Sequence, residues 1–275
     1  MSHWEFPGSE PIDAFIELAA GSVALAAREA DVTTVSLAPS RFSRNGDKQL
    51  SEVRVSFDNG RLEVVGPKRT GLWRGHPGFD LTVTLPRGSR CAVRTASADV
   101  TCTGELAELD AHTASGDVTA AAVTGNLQAV TASGEVRAEE TGETADVRTV
   151  SGDGRITRAA GNLQARTASG DVIVATAASS ATVATASGDV RIGAMASGRA
   201  DVSTASGDVV VGVARDVGVY LDLASLSGSI TSQLEDTEPS DDITLEVRCR
   251  SLSGDIRIAR ASSAGTDRRL VEPAG

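Results

Sequence analysis

The sequence predicts an all-β protein: an elongated β-solenoid-like repeat of 18-residue, two-strand coils with an N-terminal β cap region. Three observations predict it. First, the motif Thr-Ala-Ser-Gly-Asp-Val recurs, with its serine at Ser97, Ser115, Ser133, Ser151, Ser169, Ser187, Ser206, Ser227 and Ser253. The first five gaps are 18 residues and the next three are 19, 21 and 26, and a fixed period of this length marks a repeat architecture. Second, hydrophobicity alternates with period two on both sides of the motif, the pattern of a strand with one buried face. Third, aromatic residues make up only 3% of the chain. The apolar set is mostly Ala and Val, which suits thin stacked layers.

Each repeat reads as strand, turn, strand, turn. Ahead of the motif serine stand inward positions such as Leu109, Ala111 and Thr113, with polar Asp110 between them. Beyond it, Val118 and Ala120 point in and Thr119 points out. The Ser-Gly pair forms the first turn, and Gly125, Gly142 or Gly161 marks the second. Glycine is expected there for the positive φ of tight turns. One such unit cannot bury its apolar face alone, so neighbours must stack.

Residues 1–90 have a different texture and are read as the N-terminal β region that caps the repeat. Strands are predicted near 12–18, 21–28, 31–38, 49–57, 61–66 and 78–85. Ala-Gly-Ser, Pro39, Asn45-Gly46, Asn59-Gly60 and Pro67 separate them as turn signals. Residues 91–260 are the repeat proper. The last repeat, around Val247–Ala259, carries larger apolar residues and is read as the end cap. Residues 261–275 read as a polar, disordered tail.

The chain has 26 Lys and Arg against 37 Asp and Glu, a net charge of -11. That excludes the basic footprint of a nucleic-acid-binding protein. No basic leader with an unbroken apolar core is visible, and no apolar run reaches the roughly 18 residues of a membrane span. The expected location is cytoplasmic, with envelope association only through a partner and no direct membrane insertion. Cys91, Cys102 and Cys249 are too few and too scattered for a disulfide framework or zinc site. They read as small buried thiols.

The repeated Thr-Ala-Ser-Gly-Asp-Val, the closing Ser-Leu-Ser-Gly-Asp-Ile (251–256) and the lead-in Leu-Thr-Val-Thr-Leu-Pro-Arg-Gly-Ser (81–89) carry a resemblance. Over roughly residues 10–260 they resemble the DUF4097 family, the toastrack-type, adhesin-like β-repeat proteins common in bacteria and notably actinobacteria. The resemblance implies a one- or two-layered β-repeat fold. It also implies a loose link to envelope-stress signalling and surface interaction, and it brings no catalytic residues.

Four candidate chemistries stand against plainer readings. The acidic column, from Asp99 and Asp117 to Asp255, has the oxygen ligands calcium takes. It lacks the Gly-Gly-x-Gly-x-Asp run of calcium β-rolls, and the plainer reading is that each Asp caps its own Ser-Gly turn. The threonine column resembles a water-ordering array, yet it shares parity with the buried positions and reads as inward-facing. A serine nucleophile needs a partner base, and His3, His76 and His112 form no recognisable arrangement with one. The Gly-rich insert around Trp73, Arg74 and His76 is a candidate interaction site, and Trp4 is another, since Trp and Arg favour binding hot spots. The alternative for Trp73 is that it folds back over the cap.

The predicted function is a non-catalytic scaffold or interaction protein without cofactor or metal, serving a protein partner or self-association. The alternative is a self-assembling, bactofilin-like filament that uses exposed terminal strand edges. A calcium-binding or enzymatic β-roll is the remaining alternative.

Overall fold

A computed structural model describes residues 1–41, 50–67, 78–234 and 243–261. The N-terminal region holds β1 (Ser2–Pro7), β2 (Asp13–Arg28), β3 (Val32–Pro39), β4 (Arg54–Asp58), β5 (Arg61–Val65) and β6 (Gly78–Pro86). The long β7 (Arg90–Leu106) opens the repeat. After it come β8 (Glu108–His112), β9 (Val118–Val123), β10 (Asn126–Val130), β11 (Val136–Thr141), β12 (Thr144–Arg148) and β13 (Gly154–Ala159). They continue as β14 (Asn162–Arg166), β15 (Val172–Ala177), β16 (Ala181–Ser187), β17 (Val190–Met195), β18 (Gly198–Ser206) and β19 (Val209–Val213). The chain closes with β20 (Gly218–Ser227), β21 (Ile230–Ser232), β22 (Ile243–Ser253) and β23 (Ile256–Arg260).

The predicted solenoid is present. The even-numbered strands from β8 to β18 pair in parallel one above the next, and so do the odd-numbered strands from β9 to β19. Registers run from motif to motif, so Leu109, Leu127, Ala145 and Leu163 form one buried column. Both β2 and β7 pass uninterrupted through the two ladders and join them into one sheet. The core between the ladders is a line of Ala, Val, Leu and Ile, nearly all fully buried.

Beyond β5 and β6 the parallel order ends. β5 and β6 lie parallel on the two halves of β2, and β4 and β3 then pair antiparallel to them. β1 pairs antiparallel to β3. Phe6 of β1 and Phe57 of β4 stack with ring centroids 4.9 Å apart. The outermost strands of the two ladders therefore meet over the end of the core, an arrangement that shields open edges. Two details correct the sequence reading. Residues 12–18 and 21–28 form one strand: Ala20-Gly21-Ser22 is a kink at Gly21, where φ is +114°. β1 was not predicted at all. The Asn59-Gly60 hairpin does have φ of 48° and 76°, as a tight primed turn needs.

The C-terminal end departs from sequence order. β22 pairs with β18 on one side and β20 on the other; β23 lies likewise between β19 and β21. The last coil in the sequence is thus the penultimate coil in space. Val247–Ala259 is not the end cap: Val247, Cys249, Ile256 and Ile258 are fully buried, and residues 218–232 form the outermost coil. Opposite charges face each other in this order. The registers Asp201↔Arg248 and Arg248↔Asp222 place an arginine between two aspartates, and Arg248 lies 3.0 Å from Asp222. Stacking in sequence order would set Asp222 directly against Asp201, and like charges opposite each other across strands are destabilising. Glu246 adds to the key by binding Arg199 at 2.7 Å and Arg248 at 3.1 Å.

Candidate functional site

The Ser-Gly-Asp turns are built by contacts between coils. The acid side chain reaches one coil along the stack: the N–H of Asp117 donates to Asp99 Oδ1 at 3.0 Å, and that of Glu135 to Asp117 at 2.8 Å. The same bond recurs from Asp171 to Asp153, Asp189 to Asp171, Asp208 to Asp189 and Asp255 to Asp208. The expectation that each Asp caps its own turn is thereby corrected. The last bond of the series runs from the N–H of Ser229 to Asp255 Oδ1 at 2.8 Å. Ser229 takes the acid position in the outermost coil, where no further coil needs an acceptor. Arg137 binds Glu135 at 2.7 Å and Arg155 binds it at 2.7 Å, which relieves repulsion along the column.

The threonines are buried relays. Thr131 Oγ1 accepts from Gly134 N–H at 3.0 Å and donates to the Gly116 carbonyl of the preceding coil at 3.3 Å. The motif glycines are required by proximity. A Cβ on Gly134 would lie 1.9 Å from the Gly116 carbonyl oxygen, and one on Gly152 would lie 1.9 Å from that of Gly134. Positive φ is confined in this column to Gly207 and Gly254. The motif acids, threonines and glycines are thus committed to stacking.

This arrangement sets a pH dependence. The Asp255 carboxyl is held below its ordinary value of 3.8, first by the Ser229 backbone N–H, then by the Ser229 hydroxyl and Arg257. Glu246 is lowered by its hydrogen bond to Arg199. A group whose folded pKa is depressed stabilises the fold above its unfolded pKa, and that stabilisation is lost as pH falls through the folded value. Unfolding followed across pH should therefore show stability falling below about pH 4. Asp255→Asn keeps an acceptor without a proton to gain, so it should flatten part of that fall. An unchanged pH profile in the variant would contradict the assignment.

A different feature offers a site. After the motif turn the inward positions are three and five beyond the serine, and the next is eight beyond. The strand thus shows two outward residues in succession, as in Glu139 and Glu140 of β11 between buried Ala138 and Thr141. Repetition of that phase shift at Ala121-Ala122, Thr157-Arg158 and Ala175-Thr176 produces a long open groove of about 1120 Å³. It crosses β15, β13, β11 and β9, then β7 and the end of β2, five steps of about 4.8 Å, or roughly 24 Å. Small Ala and Thr residues and charges of both signs alternate along its lining. At one end Arg87 binds Glu105 at 2.5 Å and holds that carboxyl below its usual range. Near the middle Arg158 lies 3.9 Å from Glu140. Sequence reading missed these residues, although the break in alternation at each repeat was the signal.

Of the residues singled out from sequence, Trp4 is half-buried, opposite Val35, and packs against the core beside the aromatic end plug. Trp73, Arg74 and His76 lie outside the described residues, as do the Asn45-Gly46 signal, the 235–242 insert and residues 262–275 of the tail. Cys91, Cys102 and Cys249 are free and buried; burial pushes the Cys91 and Cys249 thiols up to about 12. His112 Nε2 sits 2.9 Å from Asp110 on the outer face of β8. No helix among the described residues is long and apolar enough to cross a membrane.

The DUF4097 model, described as Toastrack, matches residues 15–258, which span the β2 strand, the whole coil stack and the intercalated end. The chain belongs to the Toastrack family. No curated protein matches it. Among solved structures it is similar to a candidate adhesin from Parabacteroides distasonis, at 8% identity over 93% of this chain and 96% of that one, with TM-score 0.46. A candidate lipid-binding protein from the same organism is 15% identical over 94% and 96%, with TM-score 0.46. A candidate adhesin from Parabacteroides merdae is 11% identical over 94% and 95%, also with TM-score 0.46. As a Toastrack member the protein is an all-β repeat.

Proposed function

We propose that this Toastrack protein is a non-catalytic scaffold that holds an extended polypeptide along the groove between Glu29 and Thr176. The observation that carries the reading is the groove's continuity over six strands, with Ala and Thr interspersed among exposed charges along its lining. The short Ala and Thr side chains let a backbone approach closely. The lining contains no aromatic ring, so it offers no platform for stacking a sugar or base, and recognition falls to charge. The motif acids and threonines support the same reading, because they bond to neighbouring coils. Filament growth is less favoured. One end changes to antiparallel pairing, and the other carries Ser229 where a further coil would need an acid.

Glu139 and Glu140 sit mid-groove, so a labelled, extended lysine-serine repeat peptide is a fitting probe. Fluorescence anisotropy should show binding that weakens with added salt, as charge-led association does. The double variant Glu139→Lys, Glu140→Lys should weaken it at least tenfold, a loss of about 1.4 kcal/mol. Glu108→Lys, on the other ladder, should leave binding unchanged. Equal binding by the groove variant and the native protein, or no binding by the native protein, would overturn the reading.

A further inference from the structure

The outermost coil, residues 218–232, is held differently from every coil beneath it. Among the described residues β20 and β21 each have a single ladder partner, β22 and β23. Leu221 and Leu223 are only half-buried, and Ile230 is 45% exposed, whereas Val247, Cys249 and Ile256 directly beneath are fully buried. Besides its backbone ladders on β22 and β23, the coil is held by a few side-chain ties. These are Asp222 to Arg248 and Arg250 at 3.0 Å each, Ser225 Oγ to the Gly254 carbonyl at 3.0 Å, and the Ser229–Asp255 bond. Beneath it, Ser251 Oγ is buried with no hydrogen-bond partner, so that level lacks the threonine relay of the central coils. Its connection from β19 steps across a coil. The four-residue link from β19 includes Asp216 at φ +59° and passes over the level of β23.

We propose that residues 218–232 form an end flap that opens as a unit and uncovers the edges of β22 and β23. Segments with one-sided pairing and few buried apolar contacts occupy the low end of a protein's range of opening free energies. The intercalated order makes the flap separable. Releasing it leaves β22 and β23 docked on β18 and β19, with their other edges and the Cys249 thiol uncovered. A coil stacked in chain order would have no such buried neighbour following it in sequence.

Native-state hydrogen exchange on the whole chain tests the proposal. Amides of 218–232 should exchange at least roughly tenfold faster than those of β12–β17. So should the amides of Gly254 and Ile256, which donate to Ser227 and Ser229. A second measurement uses Leu223→Cys, which places a thiol opposite Cys249 in the ladder. With that disulfide formed, protection of 218–232 should rise toward the β12–β17 level, and reduction should reverse it. Exchange of 218–232 as slow as that of β12–β17 in the native protein would overturn the flap. So would fast exchange there that leaves the amides of Gly254 and Ile256 fully protected.

Discussion

Valine in place of Gly134 is expected to destabilise the protein by about 3 kcal/mol, the upper range for forced overpacking. The reason is backbone against backbone. The new Cβ would meet the Gly116 carbonyl oxygen at 1.9 Å and the Thr131 hydroxyl at 2.9 Å. Relief requires that two coils separate, which breaks the Asp117–Glu135 ladder bond and the Thr131 relay together. Gly154 provides the control. It occupies an inward column beside Val136 and Val172, its added Cβ would meet only Val147 Cγ1 at 3.6 Å, and its φ is not positive. Gly154→Ala should therefore be neutral or stabilising by about 0.5 kcal/mol, through a stiffer unfolded chain. Denaturant midpoints with unchanged slopes would register both effects. Equal tolerance of the two substitutions would contradict the stacking role of the motif glycine.

The residue-by-residue register of the coils was legible because identical chemistry recurs at each level. Leu109 above Leu127 and Val118 above Val136 follow directly from the 18-residue period. The order of coils was not legible from that period, since a repeat specifies what lies opposite what and is silent about which copy is adjacent. Asp201, Asp222 and Arg248 held the missing information, and it becomes readable only when two stacking orders are compared for like charges. The motif glycine was identified for the wrong reason. Turn geometry and close approach both select glycine, and the sequence alone does not separate them. The groove escaped notice because its residues differ from coil to coil. What repeats is a slip in the inward pattern, from five to eight residues beyond the serine in the central coils. Trp4, a binding candidate by composition, is half-buried and packs against the core beside the end plug.

The central claim is that side-chain chemistry between coils sets the stack, even against chain order. Disulfide trapping reads the order directly. In the observed register Leu223 lies opposite Cys249, both inward, at the strand spacing of about 4.8 Å that a disulfide spans. Leu223→Cys should oxidise to a Cys249 pair within one chain. By closing a loop of about 26 residues it should stabilise the protein by about 3 kcal/mol. In a Cys249→Ala background, Val202→Cys with Leu223→Cys should remain reduced, because β22 separates β18 from β20. Peptide mapping of the oxidised proteins decides between the two arrangements. A 223–249 linkage with no 202–223 linkage is the predicted result; efficient formation of the 202–223 linkage would contradict it.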